Sequence, residues 1–181
     1  MLKITIPARL LYDEKNNIFF DIKEQTLCLE HSLVSISKWE SKWCKPFISK
    51  DKKTAVETID YIKCMTLTQN VDPNVYYGIT DDIIDQVNAY IDAPMTATRF
   101  SNEGGRTRPN REIITSEIIY YWMIALGIPE KYEKWHLNRL LTLIRVCNIK
   151  NQPPKKMSMR ETMNQYAALN AARRKQLNSK G

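Results

Sequence analysis

The chain has 181 residues, 43% of them hydrophobic, with 27 Lys and Arg against 20 Asp and Glu for a net charge of +7. That apolar content excludes a chain disordered throughout, and no apolar run approaches the roughly 20 residues needed to cross a bilayer. The four cysteines, Cys28, Cys44, Cys64 and Cys147, lack C-x-x-C spacing, so they read as free, buried thiols in a reducing compartment and not as a disulfide framework.

The opening MLKITIPARLLYDEKN has no signal-peptide h-region or cleavage site and reads as a first strand. Residues 2–6, 17–22 and 25–29 are short and rich in β-branched or aromatic side chains, with turn chemistry at 13–17 between the first two. A hairpin or three-stranded antiparallel meander is expected. From Ser32 the period lengthens. Leu33, Ile36, Trp39 and Trp43 share one helical face, with Ser32 as N-cap and Pro46 as the stop. Thr54 and Glu57 form a capping box for a second helix with Val56, Ile59, Ile62 (with Tyr61) and Met65 on its apolar face.

Residues 66–79 read as irregular, with a turn at Asp72-Pro73-Asn74. Thr80 then starts a helix with Ile83, Ile84, Val87, Tyr90 and Ile91 inward, and Asp81 and Asp82 suit the positive end of its dipole. Residues 101–110 are polar, contain Gly104-Gly105 and read as a basic surface loop. Residues 111–126 are apolar nearly all round, the pattern of a central, most buried helix. Gly127 ends it and Pro129 starts a further helix over 130–149 with Trp135, Leu137, Leu140, Leu141, Ile144 and Val146 inside. Arg139 and Arg145 are left to find partners.

Pro153-Pro154 introduces the last segment, a helical pattern over about 158–177 with Ser158 and Glu161 as its capping box. Residues 151–181 hold seven cations (Lys155, Lys156, Arg160, Arg173, Arg174, Lys175, Lys180) against Glu161, a net +6 that leaves +1 for residues 1–150. Met159, Met163, Tyr166 and Leu169, or Ala167/Asn170, give an amphipathic stripe of adaptable side chains, which reads equally as a surface docking on a partner and as a solubilising, partly disordered terminus. Arg173, Arg174 and Lys175 add a basic cluster only at its far end, so a protein partner ranks ahead of nucleic acid.

Chemistry-bearing motifs are sparse. His136 lies between Trp135 and Leu137 and reads as a packed histidine; His31 reads as a residue of a strand-to-helix junction. No metal-ligand spacing is present, and Gly104-Gly105 lacks the following Lys-Ser/Thr of a phosphate loop. No catalytic residue, cofactor or metal is therefore assigned, and enzyme is the weaker class. Trp39 and Trp43 read as core anchors; the alternative is a binding stripe beside Lys38, Lys42 and Lys45.

Residues 27–65 and 111–170 carry the motifs SLVSISKWESKW, EIIYYWM, KWHLNRLLTLIRV and PPKKMS. On these the chain resembles a group of proteins of about this length encoded by tailed bacteriophages and prophages, within virion morphogenesis and more narrowly tail assembly chaperones. The resemblance implies a non-enzymatic helper in the bacterial host cytoplasm that binds the tape-measure protein and brings tail-tube proteins to it. Self-association is a further option, and no membrane is involved. The different-class alternative is a DNA-associated head-completion or packaging factor using the basic tail and Arg106/Arg108; a third is a structural virion component. The expected architecture is α+β and mainly helical: a body over 1–150 with a small N-terminal antiparallel sheet (strands about 2–29, helices about 32–149), then a linker and separable basic helix over 151–181.

Overall fold

A computed structural model describes residues 1–13, 17–49, 51–100, 113–152 and 159–178. The fold is α+β and mainly helical, with its antiparallel strands at the N-terminus. The chain divides into two compact units, Met1–Asn148 and Ile149–Gly181.

The first unit opens with β1 (Leu2–Ile6), β2 (Arg9–Asp13), β3 (Ile18–Ile22) and β4 (Gln25–Leu29). β1 pairs with β4 and β2 with β3, both antiparallel. The two ladders share one register, because Ile6↔Gln25 and Arg9↔Ile22 are joined by Pro7-Ala8 opposite Lys23-Glu24. Pro7 has no N–H to give, which explains a break at that step. The inward face changes parity across it. Ile4, Ile6, Leu27 and Leu29 are buried before the break; beyond it Ile22 is buried while Leu10, Tyr12 and Phe19 face out. Of the two arrangements expected, the hairpin is the one found, interrupted and built of four strands instead of three. β2 went unseen because RLLYD does not alternate apolar with polar and follows a proline.

Helix α1 (Leu33–Trp43) starts as expected at Ser32, whose side chain accepts from Ser35 N–H while the Ser35 hydroxyl accepts from Ser32 N–H. It ends at Cys44, in left-handed conformation at φ 51°, before Pro46 is reached. Helix α2 (Ala55–Met65) has the Thr54/Glu57 capping box. Its buried apolar residues are Tyr61, Ile62 and Met65; Val56, expected inside, is 67% exposed. The reason is the orientation of α2 against α1: the Trp39 indole donates to Glu57 O at 2.9 Å and the Trp43 indole to Asp60 Oδ2 at 2.8 Å. Those bonds turn Glu57 and Asp60 inward and Val56 out.

The stretch read as irregular holds a 3-10 helix, Pro73–Gly78. Gly78 packs so close to the hairpin that a Cβ would lie 2.8 Å from Ile6 Cγ2. In α3 (Asp81–Asp92), Ile83, Val87 and Tyr90 are buried. Helix α4 (Ser116–Ala125) buries Ser116, Ile119 and Met123, but Ile124 is 79% and Tyr121 67% exposed. It is therefore a one-sided surface helix and not the most buried one, the apolar sequence on its outer side notwithstanding. Gly127 follows at φ 63°, a conformation in which a Cβ is strained.

The helix expected over 130–149 is split into a 3-10 helix, Glu130–Lys134, and α5 (Leu137–Asn151). At the joint His136 bridges to Ser32, and Leu137 N–H donates to His31 O at 2.8 Å. This pairing between distant segments takes the backbone groups that a continuous helix would need. Leu137, Leu140 and Ile144 are buried as expected, whereas Trp135, Leu141 and Val146 are half-buried. Arg139 lies over the Trp135 ring at 3.9 Å and Arg145 over Phe100 at 4.0 Å. The core gathers Leu27, Leu29, Leu33, Ile36, Trp39, Ile62, Met65, Ile119 and Leu140, all fully buried. The four cysteines are free; Cys44 is exposed and the others half-buried, so none is the fully buried thiol expected. Cys44 caps the end of α1, Cys64 lies in the last turn of α2, Cys28 is in β4 and Cys147 is within α5. No described helix is long and apolar enough to cross a membrane.

The second unit holds α6 (Met159–Leu177). Residues 153–158, including the Pro-Pro pair and Ser158, and the Glu161 side chain lie outside what is described, as do residues 101–112 with Gly104-Gly105, Arg106 and Arg108.

Candidate functional site

Helix α6 carries the side chains expected to bind a partner. Its sequence, MRETMNQYAALNAARRKQL, is rich in Ala, Met, Gln and Arg, all good helix formers, and has no Gly or Pro. Met159 is 84% exposed, and Met163, Tyr166, Leu169 and Leu177 are exposed as well. Met159, Met163 and Tyr166 fall on one side at steps of four and three, and Leu169 sits at the edge of that stripe. Arg173 and Arg174 continue the same side towards the C-terminus, and Lys175 points to the opposite one. The cations in the last turn, Arg174 and Lys175, also suit the negative end of the helix dipole. Chemically, α6 offers an apolar half followed by a basic half.

In the first unit the structure brings together polar residues from four elements. His31, before α1, has Nδ1 2.5 Å from the Tyr61 hydroxyl of α2. Ser35 donates its own proton to Ser32 O at 2.7 Å and its Oγ lies 3.3 Å from the Tyr61 hydroxyl. Burial, and after it the neighbouring His136 imidazole, hold His31 down to about 3, and burial pushes the Tyr61 hydroxyl up. His136 stands 5.1 Å away, centroid to centroid. Its Nδ1 accepts from Asn138 N–H, which places the ring proton on Nε2 to donate to Tyr90 O at 3.0 Å. Tyr90 in turn donates its hydroxyl to Glu30 at 2.8 Å. The network ties the β4–α1 junction to α2, α3 and α5. Sequence spacing held no sign of it, because each partner comes from a different element.

On the Trp39/Trp43 face, Trp39 points inward and Trp43 is half-buried. Trp39 is in the core, stacked on Trp43 at 6.1 Å. Lys42 pairs with Asp60 at 2.5 Å and Lys45 with Glu57 at 2.7 Å. Burial works against the Asp60 charge, yet the hydrogen bonds from Lys42 and Trp43 keep its carboxyl below the usual range. Lys53 donates to Phe47 O at 2.8 Å with its ammonium over the Phe47 ring. The core-anchor reading holds for Trp39; Trp43 is half-buried, and Lys38, Lys42 and Lys45 beside it are exposed.

Glu40 is a buried carboxylate that spans two segments. One oxygen accepts from Phe47 N–H and the other from Ser116 N–H, each at 2.7 Å. It thereby caps α4 from a distance, where Thr115 makes no side-chain cap. Among the described residues no cluster of His, Cys, Asp and Glu could hold a metal ion. No family model, no curated protein and no solved structure matches the chain.

Proposed function

We propose that the chain is a non-enzymatic tail assembly chaperone of a tailed bacteriophage, which uses α6 to hold the tape-measure protein and to promote assembly of the tail tube around it in the host cytoplasm. The observation that carries the docking half is the exposed Met159/Met163/Tyr166 stripe in a unit separate from the core. The phage half rests on the resemblance of the motifs at 32–43, 117–123, 134–146 and 153–158. Thioether and aromatic side chains adapt to irregular apolar surfaces, which suits a helper that must release its client.

The test is co-expression with the tape-measure protein of the same phage. The chain should keep that client in the soluble fraction, and Met163→Asp with Tyr166→Ala should return it to the pellet. Purified virions should lack the chain; its presence in them at stoichiometric amounts points instead to a structural component. Binding carried by the α6 apolar stripe should be far less sensitive to salt than binding to nucleic acid. Capture that falls by orders of magnitude between low and moderate salt, on duplex DNA, would mark the nucleic-acid alternative.

A further inference from the structure

The stripe on α6 extends further than its apolar residues. Met159, Met163, Tyr166, Asn170, Arg173 and Leu177 recur at alternating steps of four and three, the 3.5-residue period of a coiled-coil seam. In heptad positions, Met163, Asn170 and Leu177 take a, while Met159, Tyr166 and Arg173 take d. Arg160, Ala167 and Arg174 fall at e; Thr162, Leu169 and Gln176 fall at g. An Asn at an a position is a known device for fixing register and strand number. Arg173 at d is the unusual member. It places a charge where an apolar side chain is expected.

That charge selects the mate. In a parallel pair of two α6 copies, Arg173 would meet Arg173 inside the seam. In an antiparallel pair the e positions face each other, which sets Arg160 beside Arg174 of the other copy. Both arrangements bring like charges together, and α6 has Arg160, Arg173, Arg174 and Lys175 against Glu161 alone. An acidic mate relieves both conflicts.

We propose that α6 is one strand of a heterotypic two-stranded coiled coil, whose other strand is an acidic heptad-repeat helix of the client. The inference rests on the docking reading above and adds the client's chemistry to it. Apolar side chains of the mate cover Met159, Met163, Tyr166 and Leu177, its carboxylates meet Arg173 and Arg174, and a polar partner at Asn170 sets the register.

The test uses the full chain and two synthetic helices of about three heptads with one leucine seam, flanked by Glu in one helix and by Lys in the other. Fluorescence anisotropy at fixed ionic strength should give about tenfold tighter binding to the Glu-flanked helix. The double reversal R173E/R174E should turn the preference towards the Lys-flanked helix. Met163→Glu should weaken both complexes. All these changes lie on exposed α6 positions, so an unchanged thermal transition of the body is the folding control.

Equal affinity for the two helices, or a preference unmoved by the reversal, overturns the proposal. A concentration-dependent dimer of the chain alone that Met163→Glu dissolves also overturns it, since α6 would then pair with itself. If the tape-measure client is held without any acidic preference, this inference fails and the chaperone reading stands. If the acidic preference holds and no tail protein is captured, the chaperone reading fails alone.

Discussion

Desolvation governs His31. The imidazole is held at about 3 in the folded chain against 6.5 when free, because its cationic form would lose hydration in the core and face a second imidazole. As pH falls through 6.5 the unfolded chain takes up a proton that the folded chain refuses. The stability tied to His31 is therefore complete above pH 6.5 and drains away towards pH 3. Between pH 6 and 5 the loss is about 1 kcal/mol. Urea denaturation of His31→Gln should show a protein less stable at pH 7 but losing about 1 kcal/mol less over that interval; equal slopes for the two proteins would contradict the burial account. Glu57 does not blur the reading, since its bond to Lys45 holds it at about 2 and its contribution is lost only below 4.5. Residue features set by local sequence were legible: Ser32, Thr54 with Glu57, and Gly127 act within a few positions of themselves. His31 with Tyr61, and Glu40 with Ser116, were not, because each pair is joined across more than one element.

Among the elements, α4 separates hydrophobicity from burial. Its sequence is apolar on nearly every side, and its tertiary contacts, α1 foremost, decide which side is inside. Ile119→Ala should cost about 2–5 kcal/mol by leaving a cavity, whereas Ile124→Lys should change stability by less than about 0.5 kcal/mol. Chemical denaturation of the two variants checks this, and comparable losses would mean that the outer face is covered. The same limit explains the other differences from sequence. Periodicity located α1, α2, α3 and α6 to within a few residues, since each keeps a helical spacing, and it placed the start of α5 seven residues early. It could not show the joint at His136, which is made by a backbone bond to His31, or β2, whose only support is its pairing with β3. On α6 the positions were legible and their meaning was not, because a helix without a core reveals no inward face.

At the scale of the whole molecule, mass and charge are divided unequally. Among the described residues every buried apolar side chain lies in the first unit, while residues 151–181 hold +6 of the net +7. A variant lacking residues 159–181 should therefore melt within about 4 °C of the full chain, the shift that 1 kcal/mol gives at this size. A larger drop in differential scanning calorimetry would show that the body draws stability from the arm. The N-terminal hairpin adds a kinetic property to the body. Alone, β1 must find β4 across residues 7–24, with the loop entropy that such a separation costs. Once β2 and β3 have met, the shared register leaves only the two short steps at Pro7-Ala8 and Lys23-Glu24 to close. The inner ladder thus acts as a zipper start for the outer ladder that the core is built on, and turns a distant pairing into a sequence of near ones.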